Sequence, residues 1–374
     1  MTATMDSVEA DPIASDDSEP TLDLGAVEAF GDKMMSILNL GMTANMMSIG
    51  HQVGLFDAMA GIARHATSEQ IATHAGLDER YVREWLGAMA TSGVVEYDGG
   101  KGGYLLPPEH AALTTRAAGP SNFASYTQLV PMCGSVESDL IQAFRSGGGV
   151  PYSSFPRFHA AMREISGAVF DMSLVDVTLP LVPGMIEQLR SGISVADVGT
   201  GSGHAINVMA DAFPESTFVG FDISEEALAV GRAEALEMGL SNAEFLVHDA
   251  ANLDGVVRFD LVTTFDAVHD QVDPIGMVQS VFDMLKPGGY WLCVDIQASS
   301  HVGENIDHPM GTFFYSVSCA HCMTVSLAHD GAGLGAMWGV QTARAMFTEA
   351  GFEDLEIHNV EGDITNNYYV CRRP

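Results

Sequence analysis

Residues 193–211 read ISVADVGTGSGHAINVMAD, and this stretch decides how the second half of the chain folds. An apolar run typical of a buried strand meets three glycines at alternate positions, Gly199, Gly201 and Gly203, and a helical pattern follows. Glycines let the backbone approach a ligand closely, and the first N–H groups of the following helix are free to bind it. The G-x-G-x-G spacing differs from the dinucleotide-binding pattern, which requires its last glycine where His204 stands. The glycine turn alone therefore leaves the identity of its ligand open.

Strand-like and helix-like segments alternate around this turn and continue toward the C-terminus. The predicted strands are Ser194–Val198, Thr217–Phe221, Glu244–Val247, Asp260–Phe265 and Tyr290–Asp295, with helices from Ala205, Glu225 and Pro274 between them. Such alternation is typical of a parallel, doubly wound α/β sheet. After a predicted helix at Thr342–Ala350, the strand-like runs Phe352–Val360 and Asn367–Arg372 are too close in sequence for a parallel crossover. We therefore expect the last strand to run antiparallel to the others.

Three carboxylates end successive predicted strands around the turn. Asp197 directly precedes the glycines, Asp222 ends the next strand in FVGFDIS, and Asp249 follows the third in FLVHDAANL. Ligands of such sheets bind beyond the carboxyl ends of the strands, so these side chains can share one ligand. Asp197 can hold an ammonium group, Asp222 both hydroxyls of a ribose, and Asp249 an adenine amino group. Each alone could be a helix cap, but the three in order favour a nucleoside that bears an ammonium group and no phosphate.

A helix–turn–helix–hairpin pattern precedes the sheet. Thr67 and Gln70 form a capping box that opens one short helix, and Asp78 can cap a second. The runs Val94–Tyr97 and Tyr104–Leu106 flank the turn DGGKGG, which is a hairpin signal. The order of these elements predicts a winged-helix domain.

The charge of the chain restricts its partners. The 374 residues carry a formal net charge of −33, and acidic side chains also outnumber Lys and Arg in the winged-helix half. Such a field repels phosphate backbones and anionic lipid surfaces, so we expect no nucleic-acid and no membrane partner. The Met- and Leu-rich helices at residues 26–60 are then expected to form core or a subunit interface. Five scattered cysteines, an odd number, favour a reducing, cytoplasmic setting over a disulfide framework.

Five motifs in order resemble those of one known family. They are VADVGTGSG, FVGFDIS, FLVHDA, FDLVTTFDAVHD and LKPGGYWLCVD, and they look like the successive motifs of class I S-adenosylmethionine (SAM)-dependent methyltransferases. The resemblance implies a Rossmann-like α/β, seven-stranded sheet with an antiparallel last strand, and SAM as cofactor. The whole chain is similar to bacterial small-molecule methyltransferases with an N-terminal winged-helix dimerisation domain, which implies a homodimer. By that resemblance the residues that contact the cofactor are Asp197, Gly199, Gly201, Asp222, Asp249, Ala250, Phe265 and Asp266.

The predicted domain organisation follows from these signals. An acidic leader at residues 1–25 is expected to be disordered. The winged-helix domain is expected at residues 26–112, a helical connector and pocket wall at 113–179, and the methyltransferase domain at 180–374.

The motif FDAVHDQVDP supplies candidates for the chemistry. It places His269 and Asp270 just past the fourth strand, where class I enzymes face the transferred methyl group. In the plant-type O-methyltransferases that the chain resembles, the histidine of a His-Asp pair in this place is the general base; their HDW is HDQ here. Imidazole suits this task because its ordinary pKa lies near neutrality. We expect His269 to take a proton and Asp270, or another carboxylate, to orient its ring; a capping or buried structural histidine is the alternative.

Two irregular segments are expected to enclose the acceptor. The loop RSGGGVPYSSFPRFH lies at a domain junction, where pockets are common, although an ordinary connector has the same composition. Residues 297–340 form a connection long enough to act as a lid. The residues expected to line the pocket are Tyr152, Phe155, His308, Tyr315 and Trp338. The C-x-x-C of Cys319 and Cys322, with His321 inside it, has no second pair, so we predict helix packing there and no metal site.

These patterns favour methyl transfer from SAM to a small-molecule acceptor, with oxygen as the methylated atom and His269 as the base. An S- or N-methyltransferase that works by proximity, without a base, is one alternative. A SAM-sensing winged-helix transcriptional regulator is another, from a different class of protein. The residues do not identify the acceptor.

Overall fold

The computed structural model describes residues 22–253 and 258–374. The acidic leader predicted at residues 1–25 lies almost entirely outside the described residues. Within the described ranges, no single helix is both long and apolar enough to cross a membrane. One bent pair of helical segments, Phe158–Leu181 with Met185–Ser191, meets those requirements by length and composition alone.

The N-terminal domain begins with α1 (Leu24–Gln52), whose first turn is capped by Asp23. The following elements are α2 (Leu55–Ile62), α3 (Ser68–Ala75), α4 (Glu79–Thr91), β1 (Glu96–Asp98) and β2 (Gly103–Leu105). The local signals are confirmed: Thr67 and Gln70 form the capping box of α3, Asp78 caps α4, and β1 pairs antiparallel with β2. A helix pair followed by this hairpin is the predicted winged helix.

A run of helices connects the winged helix to the sheet. The α-helices are α5 (Pro108–Thr114), α6 (Phe123–Tyr126), α7 (Leu129–Ser135), α8 (Glu137–Ser146), α9 (Phe158–Val169) and α10 (Met185–Ser191). Short 3-10 segments lie at Arg116–Ser121, Tyr152–Ser154 and Leu179–Leu181, and a π-helix at Phe170–Thr178 extends α9. The connector is therefore helical, as its sequence predicts.

The C-terminal half forms a single seven-stranded sheet. Its strands are β3 (Ser194–Val198), β4 (Thr217–Asp222), β5 (Ala243–Val247), β6 (Phe259–Phe265), β7 (Leu285–Ile296), β8 (Asp354–His358) and β9 (Asn366–Arg372). The helices between them are α11 (His204–Ala212), α12 (Glu225–Met238), α13 (Pro274–Met284), α14 (Gly311–Val317), α15 (Met323–Leu327) and α16 (Gly339–Ala350).

The strand order is β5-β4-β3-β6-β7-β9-β8. Strands β3 to β7 pair in parallel, whereas β9 lies between β7 and β8 and is antiparallel to both. The short β8–β9 link forces this reversal, and the predicted fold class is confirmed. Because the order reverses beside β3, the carboxyl ends of β3, β4, β6 and β7 open toward one crevice.

The lid segment between β7 and α16 packs on the connector. A 3-10 turn at Val302–Asn305 and a π-helix at Ser318–Cys322 complete its helical content. The backbone N–H of Val150 donates a hydrogen bond to Thr324 Oγ1 at 2.9 Å. Apolar side chains of α7, α9 and the lid form a common cluster. The lid is thus packed against the connector, and the Gly335 N–H, which donates to the His269 carbonyl at 2.9 Å, places it beside the segment that follows β6.

Candidate active site

The glycine turn after β3 is held in a conformation that favours glycine at each of its three positions. Gly199, Gly201 and Gly203 have φ angles of 74°, 56° and 72°. A Cβ on Gly199 would lie 2.5 Å from the Ala267 side chain, whereas one on Gly201 would meet no atom within 4 Å. The turn therefore packs tightly behind Gly199 and leaves open space in front of Gly201.

Asp222 connects the turn to the end of β4. Its Oδ2 accepts the backbone N–H of Gly201 at 2.8 Å, and its Oδ1 accepts that of Ser224 at 2.8 Å. Each carboxylate oxygen has two acceptor sites, so the half-buried Asp222 keeps capacity for ligand hydroxyls. The carboxylate thus orients the glycine turn and keeps acceptor sites that the fold does not use.

Asp249 has the capping role that the sequence left as an alternative. It is exposed and accepts the backbone N–H of Ala251 at 3.0 Å and the side-chain amide of Asn252 at 2.8 Å. These bonds open the 3-10 turn Ala250–Asn252, in which Ala250 is buried. Contact with an adenine at this position stays a prediction.

Two other predicted residues are acidic groups in buried surroundings. Asp197 is buried and accepts a hydrogen bond from the Thr263 hydroxyl at 2.7 Å. Burial raises its pKa to about 7, although the hydrogen bonds lower it. Asp266 follows Phe265 at the end of β6 and has φ 51°, unusual for a non-glycine residue. Burial and the nearby charge of Asp295 raise its pKa to about 7, and its Oδ1 has no partner among the described residues.

His269 is bound to a carboxylate on the neighbouring strand. Its Nδ1 lies 2.7 Å from Asp295 Oδ1, and both side chains are buried. Asp295, near the end of β7, also accepts the indole N–H of Trp338 at 3.1 Å and the backbone N–H of Ile296 at 2.8 Å. Three donors therefore fix one carboxylate oxygen, while Oδ2 of Asp295 has no partner in the described part of the chain.

The expected ring partner Asp270 is thus corrected to Asp295. Asp270 lies next to His269 in sequence, but its recorded side-chain contact is a 3.4 Å bond from Gln271. The β6–β7 pairing, which the spacing of residues does not reveal, brings Asp295 to the imidazole. Burial raises the pKa of Asp270 to about 6.

The environment of His269 decides its protonation. Burial lowers the pKa of the imidazole, but the charge of Asp295 and contacts with Asp295 and Cys322 outweigh it and hold the pKa well above its usual range.

The donor atoms of Asp266, His269 and Asp295 lie within 4.8 Å of one another, a mixed nitrogen and oxygen set that could also hold a cation.

The structure separates the predicted pocket residues into two groups. Tyr152 and Phe155 contact the ring of His321, with centroids 5.1 and 4.7 Å away, and Trp338 supports Asp295. His308 instead accepts the backbone N–H of Met310, and the Tyr315 hydroxyl is bonded by the Asn305 amide. Trp338 thus supports the partner of His269, Tyr152 and Phe155 contact a lid side chain, and the contacts of the other two are within the lid.

Asp295 and His321 are functional candidates that the motif reading did not assign. Asp295 stood at the end of the quoted LKPGGYWLCVD motif, and a carboxylate at the end of a strand beside His269 was a usable signal. The sequence around His321 shows only a C-x-x-C, which predicts helix packing. Its burial against aromatic rings depends on how the lid folds over the connector.

Two family models match parts of the chain. Residues 189–357 match a family model described as "Methyltransferase domain", and residues 41–116 match one described as "Rv2258c-like winged HTH domain". The ubiquinone biosynthesis O-methyltransferase of Leptothrix cholodnii is 33% identical over 116 residues, which are 30% of this chain and 48% of that protein. The chain thus spans about half the length of the curated relatives it matches.

Solved structures resemble almost the whole chain. Mitomycin 7-O-methyltransferase MmcR has a TM-score of 0.68 at 16% identity and covers 94% of this chain and 100% of its own. Human N-acetylserotonin methyltransferase, solved in complex with SAM, has a TM-score of 0.65 at 16% identity, with 95% and 99% covered.

At these identities the similarity establishes the fold, and the fold is that of the class I methyltransferases. The chain combines a methyltransferase domain with an N-terminal winged helix-turn-helix domain, which confirms the family resemblance carried by its motifs.

Proposed function

We propose that the chain transfers a methyl group from SAM to an oxygen atom of a small molecule, with His269 as the general base. The observation that carries this proposal is the buried His269–Asp295 pair, located at the carboxyl ends of β6 and β7 beside the glycine turn. A histidine oriented by a carboxylate is the arrangement that proton abstraction requires.

The residues around the turn fit SAM. Open space in front of Gly201 leaves room for the ligand, and Asp222 has free acceptor capacity for its ribose hydroxyls. Asp197 and Asp266 are acidic groups whose pKa values burial raises to about 7, and a cationic ligand offsets that cost of burial. When bound, SAM supplies a methyl group on a positively charged sulfur.

His269 acts on the acceptor through its second ring nitrogen. Because Nδ1 is bonded to Asp295, Nε2 is the atom that takes the proton of the acceptor hydroxyl. Asp295 then stabilises the resulting imidazolium, and Trp338 and Ile296 keep that carboxylate in place. An oxygen acceptor gains nucleophilicity as its proton leaves, whereas a thioether or a neutral amine would need only alignment.

Titration calorimetry on the full chain tests the cofactor assignment. SAM and S-adenosylhomocysteine should bind, and NADH should not, because the turn lacks the dinucleotide glycine spacing. Metabolite profiling with methyl-labelled SAM should then identify the acceptor. Specific DNA retention at physiological salt without methyl turnover on any small molecule would instead establish the regulator alternative.

We further propose that the chain forms a homodimer through α1. The helix presents a row of apolar side chains to solvent, with Leu24 74% exposed, Leu38 67% and Phe30 59%. A helix of 29 residues, about 43 Å long, is not stabilised in water by so little packing of its own. Large exposed apolar surfaces mark interaction sites, and a second copy of α1 offers the same apolar face.

Sedimentation of the full chain tests this assembly. The expected mass is about twice the 39.7 kDa of one chain at micromolar concentration. Leu38→Asp should shift the protein toward monomer, whereas Asp32→Ala, a change of a polar residue on the same helix, should not. A monomeric wild-type chain would exclude the dimer.

The domain bounds predicted from the sequence and a cytoplasmic setting are also part of the proposed function. The five cysteines have free thiols, which supports a reducing compartment.

A further inference from the structure

His321 is a buried polar side chain whose polar atoms are unsatisfied. It lies in the π-helix Ser318–Cys322 of the lid and is 2% exposed. Neither Nδ1 nor Nε2 has a hydrogen-bond partner within residues 22–253 and 258–374. Buried polar groups are almost always paired, because an unpaired donor or acceptor costs free energy. The unpaired ring of His321 therefore indicates a hydrogen-bond partner that is not part of the folded chain.

Aromatic contacts fix the orientation of the ring. His321 stacks on Phe158, with ring centroids 3.6 Å apart and planes 9° from parallel. Phe155 and Tyr152 approach it edge to face, at 4.7 and 5.1 Å. One face of the imidazole is therefore covered, and both nitrogens are buried, so a further partner reaches them at the ring edge only when the surrounding aromatic side chains move apart.

The surroundings also keep the ring uncharged. Burial, together with the nearby His269 and His159, lowers the pKa of His321 to about 3. A neutral imidazole offers one N–H donor and one acceptor nitrogen. It suits an uncharged hydroxyl, carbonyl or amide and does not compete with His269 for a proton.

The position of His321 relates it to the reacting atoms. The lid that carries it is bonded to the segment of the base: the Gly335 N–H donates to the His269 carbonyl at 2.9 Å, and the Ser326 hydroxyl donates to the Gln271 carbonyl at 2.7 Å. The lid thus brings a neutral donor and acceptor close to the base. The aromatic rings of Tyr152, Phe155 and Phe158 give this region flat apolar walls.

We propose that His321 determines acceptor specificity: its ring edge hydrogen-bonds an uncharged polar group next to the hydroxyl that is methylated, on a flat acceptor. This inference rests on the proposed function, because it needs an acceptor beside His269. The unliganded protein carries the cost of the unsatisfied ring, and a matching acceptor removes it. Acceptors that lack the second group leave the ring unpaired and bind more weakly.

One arm of the test needs neither cofactor nor acceptor. His321→Leu removes the unpaired nitrogens at similar volume, so the unfolding temperature of the unliganded chain should rise by about 2 °C. The matched control is His51→Leu: His51 is equally buried, but its Nε2 is bonded to Glu164 at 2.9 Å and only its Nδ1 lacks a partner among the described residues, so its loss should lower the unfolding temperature. A lowered unfolding temperature in His321→Leu would show that the ring is satisfied in the fold and would overturn the proposal.

The second arm measures recognition with two probes, 2-naphthol and 2,3-dihydroxynaphthalene, which differ by one neighbouring hydroxyl. Binding of S-adenosylhomocysteine is measured first, so a failure of the cofactor assignment is seen separately. The loaded wild-type chain should bind the diol at least about tenfold more tightly than 2-naphthol. In His321→Leu this ratio should fall to near one, with the affinity for 2-naphthol retained. An equal ratio in the two proteins, or no binding of either naphthol by the wild type, would overturn the assignment.

Discussion

The two sides of the crevice differ in how their carboxylates and imidazoles are hydrogen-bonded, although the Thr200 hydroxyl of the glycine turn is also buried without a partner among the described residues. On the side of β4 and β5, Asp222 and Asp249 are each bonded to nearby backbone N–H groups. On the side of β7 and the lid, Asp295 Oδ2 and both nitrogens of His321 have no partner among the described residues, although both side chains are buried.

This difference separates a preformed site from one completed by its ligand. Backbone hydrogen bonds make the glycine-turn side rigid before anything binds, as suits a cofactor that is common to a whole fold family. The lid side keeps unsatisfied groups in an apolar environment, where each is costly until a molecule pairs with it. We therefore expect substitutions on the lid side to change turnover and acceptor choice, and those on the turn side to change cofactor affinity.

The largest effect is expected for His269→Ala. Loss of a general base should lower kcat about 10²–10⁴-fold, with SAM affinity retained because His269 is on the acceptor side. Stopped assays with the identified acceptor give kcat, and calorimetry gives SAM affinity. A kcat near that of the wild type would remove the base from the mechanism and favour proximity-driven S- or N-methylation.

A smaller effect is expected for Asp295→Asn, with Asp270→Asn as its matched control. Losing the charged partner of His269 should lower kcat about 10- to 100-fold, the size of a lost hydrogen bond to a charged group. Asp270 lacks that bond, so Asp270→Asn should have the weaker effect.

The pH profiles of Asp295→Asn and Asp270→Asn give a second test of which carboxylate is the ring partner of His269. Activity of a neutral base rises as pH passes through its pKa, and Asp295 raises the pKa of His269, so the wild-type rise should lie above the ordinary range near pH 6.5. Removing the carboxylate in Asp295→Asn should move the rise to lower pH. Equal profiles for Asp270→Asn and Asp295→Asn would contradict the assignment of Asp295 as the ring partner.

The smallest effect is expected on the turn side. Asp222→Ala removes acceptors for ribose hydroxyls and for the Gly201 N–H, and should weaken SAM binding at least about tenfold. Glu226→Ala, an exposed carboxylate on α12, controls for charge and should leave the affinity unchanged. Calorimetry measures both, and an unaltered affinity in Asp222→Ala would show that the turn binds SAM without this carboxylate.

The sequence by itself determined the sheet, the turn and the winged helix. Strand and helix starts, the capping box at Thr67 and the reversed last strand follow from local patterns, because hydrophobic period, capping and loop length act within a few residues of each other. It also located His269, since a motif places that residue directly after a strand end.

Tertiary structure decided which groups meet His269. Asp295 lies 26 residues along the chain from His269, and parallel pairing of β6 with β7 brings the two side chains together. His321 became a buried, unpaired ring because the lid packs against α9, which is far from it in sequence. Neither contact leaves a local pattern, since pairing across a sheet and packing of a lid depend on distant segments. Local sequence patterns therefore predict the fold, whereas the residues that contact His269 are determined by tertiary structure.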